Sequence, residues 1–296
     1  MLTVKQLRYF VAVQQHRHFG NAAENVCVSQ PALSMQIRDM EKELGLSLME
    51  RNAHHVRLTP EGEEVAERAN EILRALQDLR DYAEQVAAPL SGQIRLGVIP
   101  SLAPYILPKL LPVLATQYPK LQLDLRETVT ATLIAELKQG HLDVVLAALP
   151  VDEAGLEELE IFEDHFLLAV SSARQIDERT KIGPGDLAKE NLLLLEEGHC
   201  LRDQTLSFCG STRQSGTANV GATSIATVLH MVAAGYGVTV LPQICADTEI
   251  ADDRITLLRF AEPKASRRIG LIWRKTSPKS QDYKALAACL HSITNE

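Results

Sequence analysis

The segment from Ser29 to Gly45, SQPALSMQIRDMEKELG, leaves the chain little choice of local structure. Ser29 is placed to cap a helix, and Pro31 falls in its first turn, where a missing N–H costs nothing. Leu33, Ile37, Met40 and Leu44 then recur at spacings of 4, 3 and 4, and Gly45 ends the run. Ahead of this segment, VKQLRYFVAVQQH over residues 4–16 puts Leu7, Phe10, Val11 and Gln14 on one helical face. Gly20 closes that helix, and Asn21 is the expected cap of a short second one carrying Ala22, Ala23 and Val26. Behind it, LMERNAHHVRLTP reads as a short hairpin. Three short helices and a two-stranded wing describe a winged helix-turn-helix over residues 1–59.

Such a domain reads DNA with short polar groups near the start of its third helix. Ser29, Gln30, Ser34 and Gln36 supply hydroxyls and amides there, and Arg38 is placed for a phosphate or base contact. Gln30 is the best base reader, since a Gln amide bonds an adenine edge bidentately. Pro31, Arg51 and Arg57 complete the candidate DNA-facing set. On residue types alone, a solvated polar helix face stays open. The charge distribution permits DNA: residues 1–59 hold seven Lys or Arg against five Asp or Glu, in a chain whose net charge is −8. A mildly basic head on an acidic body suits contact through the head and disfavours a wrapped nucleic acid.

Thr59 and Pro60 open a long polar helix expected to reach about Ala88. Val65, Ala69, Ile72, Leu76, Leu79, Ala83 and Val86 alternate at spacings of 4 and 3, a heptad seam for pairing with a second copy. The other reading is an amphipathic helix lying on its own domain. Pro89, Ser91 and Gly92 mark a hinge, so residues 60–90 form a linker and dimerisation segment.

From residue 91 the pattern alternates strand and helix. IRLGVI, LQLDLRE and LDVVLAAL frame two helical stretches, a βαβαβ unit with a parallel sheet. FLLAVS, NLLLLEE and GVTVLP, with the helix of TSIATVLHMVAAGYG, supply a second such unit, and IGLIWRK with a last helix returns to the first. The expected α/β architecture is two Rossmann-like subdomains around a cleft, in the manner of periplasmic binding proteins. Subdomain I covers about 91–164 and 268–296, and subdomain II about 165–267.

Residues 22–62, AAENVCVSQPALSMQIRDMEKELGLSLMERNAHHVRLTPEG, resemble the winged helix of LysR-type transcriptional regulators. Val26, Met40 and Met49 depart from that pattern but keep an apolar side chain; His54 and His55 fall in the wing, where the family often carries Arg or Lys. The C-terminal half narrows the resemblance. GHCLRDQ with a second Cys nine positions on, IPSLAPYILP near residue 100, TSIATVLHMVAAGYGVTVLP at 223–242 and RRIGLIWR at 267–274 resemble peroxide-sensing members of the family.

That resemblance implies a redox-active pair, Cys200 and Cys209. Cysteine attacks peroxide as its thiolate, and His199 and Arg202 flank Cys200 at an expected strand-to-helix turn. The first product is a sulfenic acid, and a second thiol then condenses with it to a disulfide. If residues 200–209 are helical, their Cα atoms lie about 13 Å apart, beyond the ~7 Å reach of a disulfide. Oxidation must then unwind LRDQTLSF, which makes it a two-state element. The resemblance also suggests Ser101 and Thr130, at the C-terminal ends of strands, as holders of the peroxide. Either could instead cap a helix. Asp203 would orient Arg202 or pair with Arg267 or Arg268. Cys27, Cys245 and Cys289 read as small core residues in helical settings.

The expected function is thus a homodimeric or homotetrameric regulator that binds a double-stranded operator, senses hydrogen peroxide, contacts RNA polymerase and is reset by a cellular thiol reductant. It is expected to be no enzyme, and no metal or cofactor signal occurs, the nine His being scattered. One rival is a regulator of the same family gated by a small organic anion in the cleft. A thiol peroxidase with a fused DNA-binding head and a bilobal solute-binding protein are further rivals. The N-terminus lacks a secretory h-region, no apolar run is long enough to span a membrane, and five dispersed cysteines do not form a secreted disulfide framework. A cytoplasmic protein is expected.

Overall fold

The computed structural model describes residues 1–51, 56–85, 89–177, 180–187, 190–208, 218–249, 253–262 and 265–294. The chain divides into two compact units, Met1–Ala83 and Glu84–Glu296.

The first unit holds α1 (Val4–His16), α2 (Phe19–Asn25), α3 (Gln30–Leu44), the hairpin β1 (Met49–Arg51) and β2 (Val56–Leu58), and α4 (Pro60–Gln85). Each helix start is explained locally. Thr3 and Gln6 form a capping box on α1. The Ser29 hydroxyl accepts the Ala32 N–H at α3, and Gly45 closes that helix in the left-handed region. Leu33, Ile37 and Met40 are wholly buried against Phe10, Val13 and Ala22. The expected cap of α2 is corrected. Gly20 and Asn21 lie inside α2, and the cap is His18, whose Nδ1 accepts from Gly20 N at 3.1 Å and Asn21 N at 3.3 Å. Asn is the commoner cap by residue type, but α1 ends at Arg17 in the left-handed region, so the turn delivers His18 to the cap position. His18→Ala removes both acceptor contacts and is expected to cost ~1 kcal/mol of local stability. Hydrogen exchange over residues 19–25 should quicken about fivefold, with His18→Asn close to wild type.

Two further readings change. Cys27 is exposed with a φ of +53°, in the turn between α2 and α3 and outside the core. The heptad seam of α4 is split. Val65 and Ala69 pack into the unit's own core beside Ala66 and Leu73, whereas Ile72 and Leu79 are 48% and 65% exposed. The side chain of Ala83 and all of Val86 lie outside the described residues.

The second unit begins with β3 (Gln93–Val98), α5 (Ala103–Gln117), β4 (Gln122–Glu127), α6 (Thr130–Lys138) and β5 (Val144–Leu149). Next come β6 (Leu156–Ser171), β7 (Lys181–Ile182), α7 (Pro184–Leu187), β8 (Leu193–Leu195) and α8 (Cys200–Phe208). It ends with β9 (Ala218–Ala222), α9 (Ile225–Ala233), β10 (Thr239–Pro242), α10 (Gln243–Glu249), β11 (Ile255–Phe260), β12 (Ser266–Arg274) and α11 (Ser280–Thr294). β3 pairs in parallel with β4 and β5, as the βαβαβ reading expects. The continuous apolar run of β5 is buried on both faces, as a central strand requires.

The second half is less parallel than expected. FLLAVS is the end of the long β6, which pairs antiparallel with β10 and β11. The first part of β6, LEELEIFEDH, pairs antiparallel with β12. Parallel pairing survives in two places: β8 with β9 and with a bridge from Leu192 to Val238, and β7 with β11. One strand therefore serves two lobes, each with its own apolar core. Among the described residues, no helix is long and apolar enough to cross a membrane.

Candidate functional site

In the first unit, α3 presents a face of mixed chemistry. Gln30, Pro31 and Arg38 are exposed, while Ser34 and Gln36 are half-buried. Ser29 accepts the Ala32 N–H at the helix cap and keeps its proton and one lone pair for a ligand. Arg57 is exposed on β2, and the side chain of Arg51 lies outside the described residues. The sequence reading missed Met35, which is 56% exposed beside Ser34 on α3. The signal available in the sequence was its place off the 4-3-4 face of Leu33, Ile37 and Met40, and an exposed apolar group is a natural partner for a thymine methyl.

In the second unit, the strand-to-helix turn is where the sequence places it. β8 ends at Leu195, and Gly198 adopts a φ of +96°, open to glycine and strained for other residues. Cys200 is the first residue of α8. A half-buried thiol at a helix N-terminus sits in the positive field of the helix's unpaired N–H groups. Arg202 folds back, its Nη1 donating to the Leu195 carbonyl at 2.9 Å, and so ties α8 to the strand. Thr205 donates to the Leu201 carbonyl at 2.7 Å.

Cys200 packs against the core of the first lobe, while Leu201, Leu206 and Phe208 of the same helix belong to the core of the second. The thiol therefore lies at the lobe junction. Gly198 faces Val129 there: a Cβ added to the glycine would stand 4.0 Å from Val129 Cγ1. Ser101 and Thr130 follow the C-terminal ends of the neighbouring parallel strands β3 and β4. Neither caps a helix. Leu102 precedes α5, Val129 precedes α6, and neither start has a side-chain cap. The Thr130 hydroxyl oxygen is buried with no hydrogen-bond partner among the described residues.

Ser101 is 5% exposed and already bonded: Arg267 Nη1 donates to its Oγ at 2.7 Å and Nη2 to its carbonyl at 3.2 Å. The pairings expected of Asp203 are corrected. Asp203 is exposed, Arg267 pairs with Asp164 at 2.9 Å, and Arg268 pairs with Glu160 at 3.3 Å. The strand register decides this, placing Arg267 opposite Asp164. Cys245 and Cys289 are buried, in α10 and α11. Burial also raises the Cys289 thiol pKa, a Tyr118 hydrogen bond opposing in part, as expected of an inert thiol. Cys209 lies outside the described residues. Among the described residues, no three His, Cys, Asp or Glu group as metal ligands.

Residues 4–63 match the model of the bacterial regulatory helix-turn-helix protein, lysR family, and residues 87–294 match the LysR substrate binding domain. The chain is 38% identical over 291 residues to the DNA-binding transcriptional dual regulator OxyR of Escherichia coli K12, covering 98% of this chain and 95% of the relative. It is 41% identical over 299 residues to a probable hydrogen peroxide-inducible genes activator of Streptomyces viridosporus, covering 99% and 95%. Among solved structures it resembles full-length OxyR of Pseudomonas aeruginosa, with a TM-score of 0.80, 34% identity and coverage of 99% and 96%. A peroxide-bound OxyR variant of Corynebacterium glutamicum matches with a TM-score of 0.70, 33% identity and coverage of 99% and 92%.

Proposed function

The chain belongs to the LysR family of bacterial regulatory proteins, and on that premise we propose that it is a transcriptional regulator that senses hydrogen peroxide through Cys200 and Cys209. The observation that carries this reading is the lobe junction. A half-buried thiol heads α8, its loop abuts the loop of Thr130, and the buried Thr130 hydroxyl makes no hydrogen bond among the described residues. Peroxide is a small neutral ligand with two oxygens that each accept and donate, and it suits such a site. The relatives' names, among them a peroxide-inducible genes activator and a peroxide-bound structure, support the same chemistry.

In this reading the Cys200 thiolate attacks one peroxide oxygen. An S–O bond forms, the O–O bond breaks, and the second oxygen leaves as hydroxide and is protonated to water. Sulfur gives up two electrons and peroxide takes them. The Cys209 thiol then displaces the sulfenic oxygen as a second water, which leaves a Cys200–Cys209 disulfide. A cellular dithiol reduces that bond and resets the protein. Ser101 and Thr130 hold the peroxide, while His199 and Arg202 flank the thiol. A rival gated by an organic anion finds less support, because the guanidinium of Arg267 at the junction is already matched by Asp164.

The winged helix binds an inverted-repeat operator as a dimer. The exposed Ile72 and Leu79 on α4 offer a stripe for pairing two copies, and tetramers form through a second contact between C-terminal units. Oxidation re-spaces the heads on DNA and alters contact with RNA polymerase. The test is direct: treat the purified reduced protein with a slight excess of peroxide and map its disulfides by mass spectrometry. A Cys200–Cys209 bond is expected, and an unchanged thiol inventory overturns the proposal.

The DNA contacts separate by sequence dependence. Gln30→Ala should cost ~1–3 kcal/mol at one operator position and leave scrambled DNA unaffected. Arg38→Ala should weaken operator and scrambled DNA alike and lower the salt slope by about one. Footprinting and salt titration on both DNAs read the difference. Equal losses on both for Gln30→Ala would remove it from base reading.

A further inference from the structure

We propose that Asp164 is a positioning residue for the peroxide reaction: it holds Arg267 so that Arg267 commits the Ser101 hydroxyl to donating a hydrogen bond at the lobe junction. The inference rests on the peroxide reading above and deepens it. Asp164 on β6 and Arg267 on β12 are directly opposed in register and are 2% and 4% exposed. One carboxylate oxygen, Oδ2, accepts Arg267 Nε at 3.0 Å and lies 2.9 Å from Nη2. The other, Oδ1, accepts the backbone N–H of Ile244 in α10 at 3.1 Å. Ile244 packs against both cores, and its neighbour Cys245 directs its thiol at the Ser101 carbonyl, 3.9 Å away. A single buried carboxylate therefore ties together β6, the strand shared by the lobes, the start of α10, and the arginine that grips Ser101.

The hydrogen-bond polarity at Ser101 follows from this. A guanidinium has five donors and no acceptor. With Arg267 Nη1 donating to Ser101 Oγ at 2.7 Å, the oxygen is the acceptor of that bond and the hydroxyl proton points elsewhere. The second grip, from Nη2 to the Ser101 carbonyl, fixes the backbone that carries the hydroxyl. A donor held in place by buried groups needs no reorganisation when negative charge develops on the leaving oxygen of peroxide. Without the Asp164 charge, the buried Arg267 cation loses its counterion and turns toward other acceptors. Ser101 is then released to donate or accept. Sequence reading had no access to this, since Asp164 is one acidic residue in the run EELEIFED.

The experiment uses full-length reduced protein and two reagents for Cys200. Hydrogen peroxide needs a donor at its leaving oxygen; iodoacetamide reports thiolate reactivity with no O–O bond to break. The wild type comes first. If Cys200 reacts with peroxide no faster than a free thiol, the peroxide reading has failed, and this inference falls with it. If it reacts fast, Asp164→Asn should slow the peroxide reaction by ~10–100-fold, part of the loss seen when an oxyanion donor is removed. Iodoacetamide should change by less than about threefold. In a Ser101→Ala background, Asp164→Asn should add less than about twofold, since residues that act through one another are not additive. Arg267→Lys covers the case in which Asp164→Asn does not fold. It leaves Asp164 a counterion, but a point charge cannot span Asp164 and both Ser101 oxygens. It should lose about tenfold with peroxide and little with iodoacetamide. An unchanged peroxide rate in either variant, equal losses with both reagents, or full additivity with Ser101→Ala overturns the positioning role.

Discussion

Cys200→Ser is expected to abolish the response to peroxide and to leave DNA binding by the reduced form near wild type. The hydroxyl of serine is not ionised near neutral pH and does not attack peroxide, so no sulfenic acid forms and Cys209 has nothing to condense with. The loss is therefore complete. The fold should tolerate the change, because Cys200 is half-buried at the first position of α8, where a small polar side chain is well accommodated. The residues of α3 and β2 proposed to face DNA lie in the separate unit Met1–Ala83. Gel shifts with operator DNA, with and without peroxide, read both halves of the expectation. A Cys200→Ser protein that still switches on peroxide would place the sensor elsewhere.

The second large effect is on α8. The helix runs from Cys200 to Phe208, so at 1.5 Å per residue its ends stand about 12 Å apart, whereas a disulfide from Cys200 to Cys209 needs Cα atoms within ~7 Å. The helix is also well anchored. Leu201 and Thr205 are buried, and the ring of Phe208 meets Phe260 edge-on at 4.8 Å. Oxidation must break these contacts together. Exchange of the amides at 204–208 should quicken by about 100-fold on oxidation, or ~2.7 kcal/mol of lost local protection. The C-terminal turns should go first, since Arg202 ties only the start of the helix to Leu195. Hydrogen exchange followed by mass spectrometry measures this in both redox states. Equal protection, with the Cys200–Cys209 bond confirmed in the same sample, would rule out unwinding as the signal.

What could be read from the sequence was what neighbouring residues decide among themselves. α3 was legible because Ser29, the 4-3-4 apolar spacing and Gly45 are a cap, a buried face and a stop within one helix. The central strand β5 was legible as an unbroken apolar run, and the strand-to-helix turn that carries Cys200 from the residues just before it. Even local rules gave way where the chain path intervened. Asn21 is the stronger cap by type, but the left-handed residue Arg17 hands that position to His18, and the turn before α3 leaves Cys27 in solvent.

The tertiary structure alone decided which distant residues meet. LEELEIFEDH carries too many acids to look like a strand, yet it is half of β6, because β12 brings Arg267 and Arg268 opposite its carboxylates. Asp164 and Arg267 stand 103 residues apart and form one buried pair. Ser101 is a further 63 residues before Asp164 and receives its grip from that same arginine. No local periodicity records such contacts. They exist only once β6 has been threaded between two lobes, since a buried charge is stable only where the fold delivers its partner.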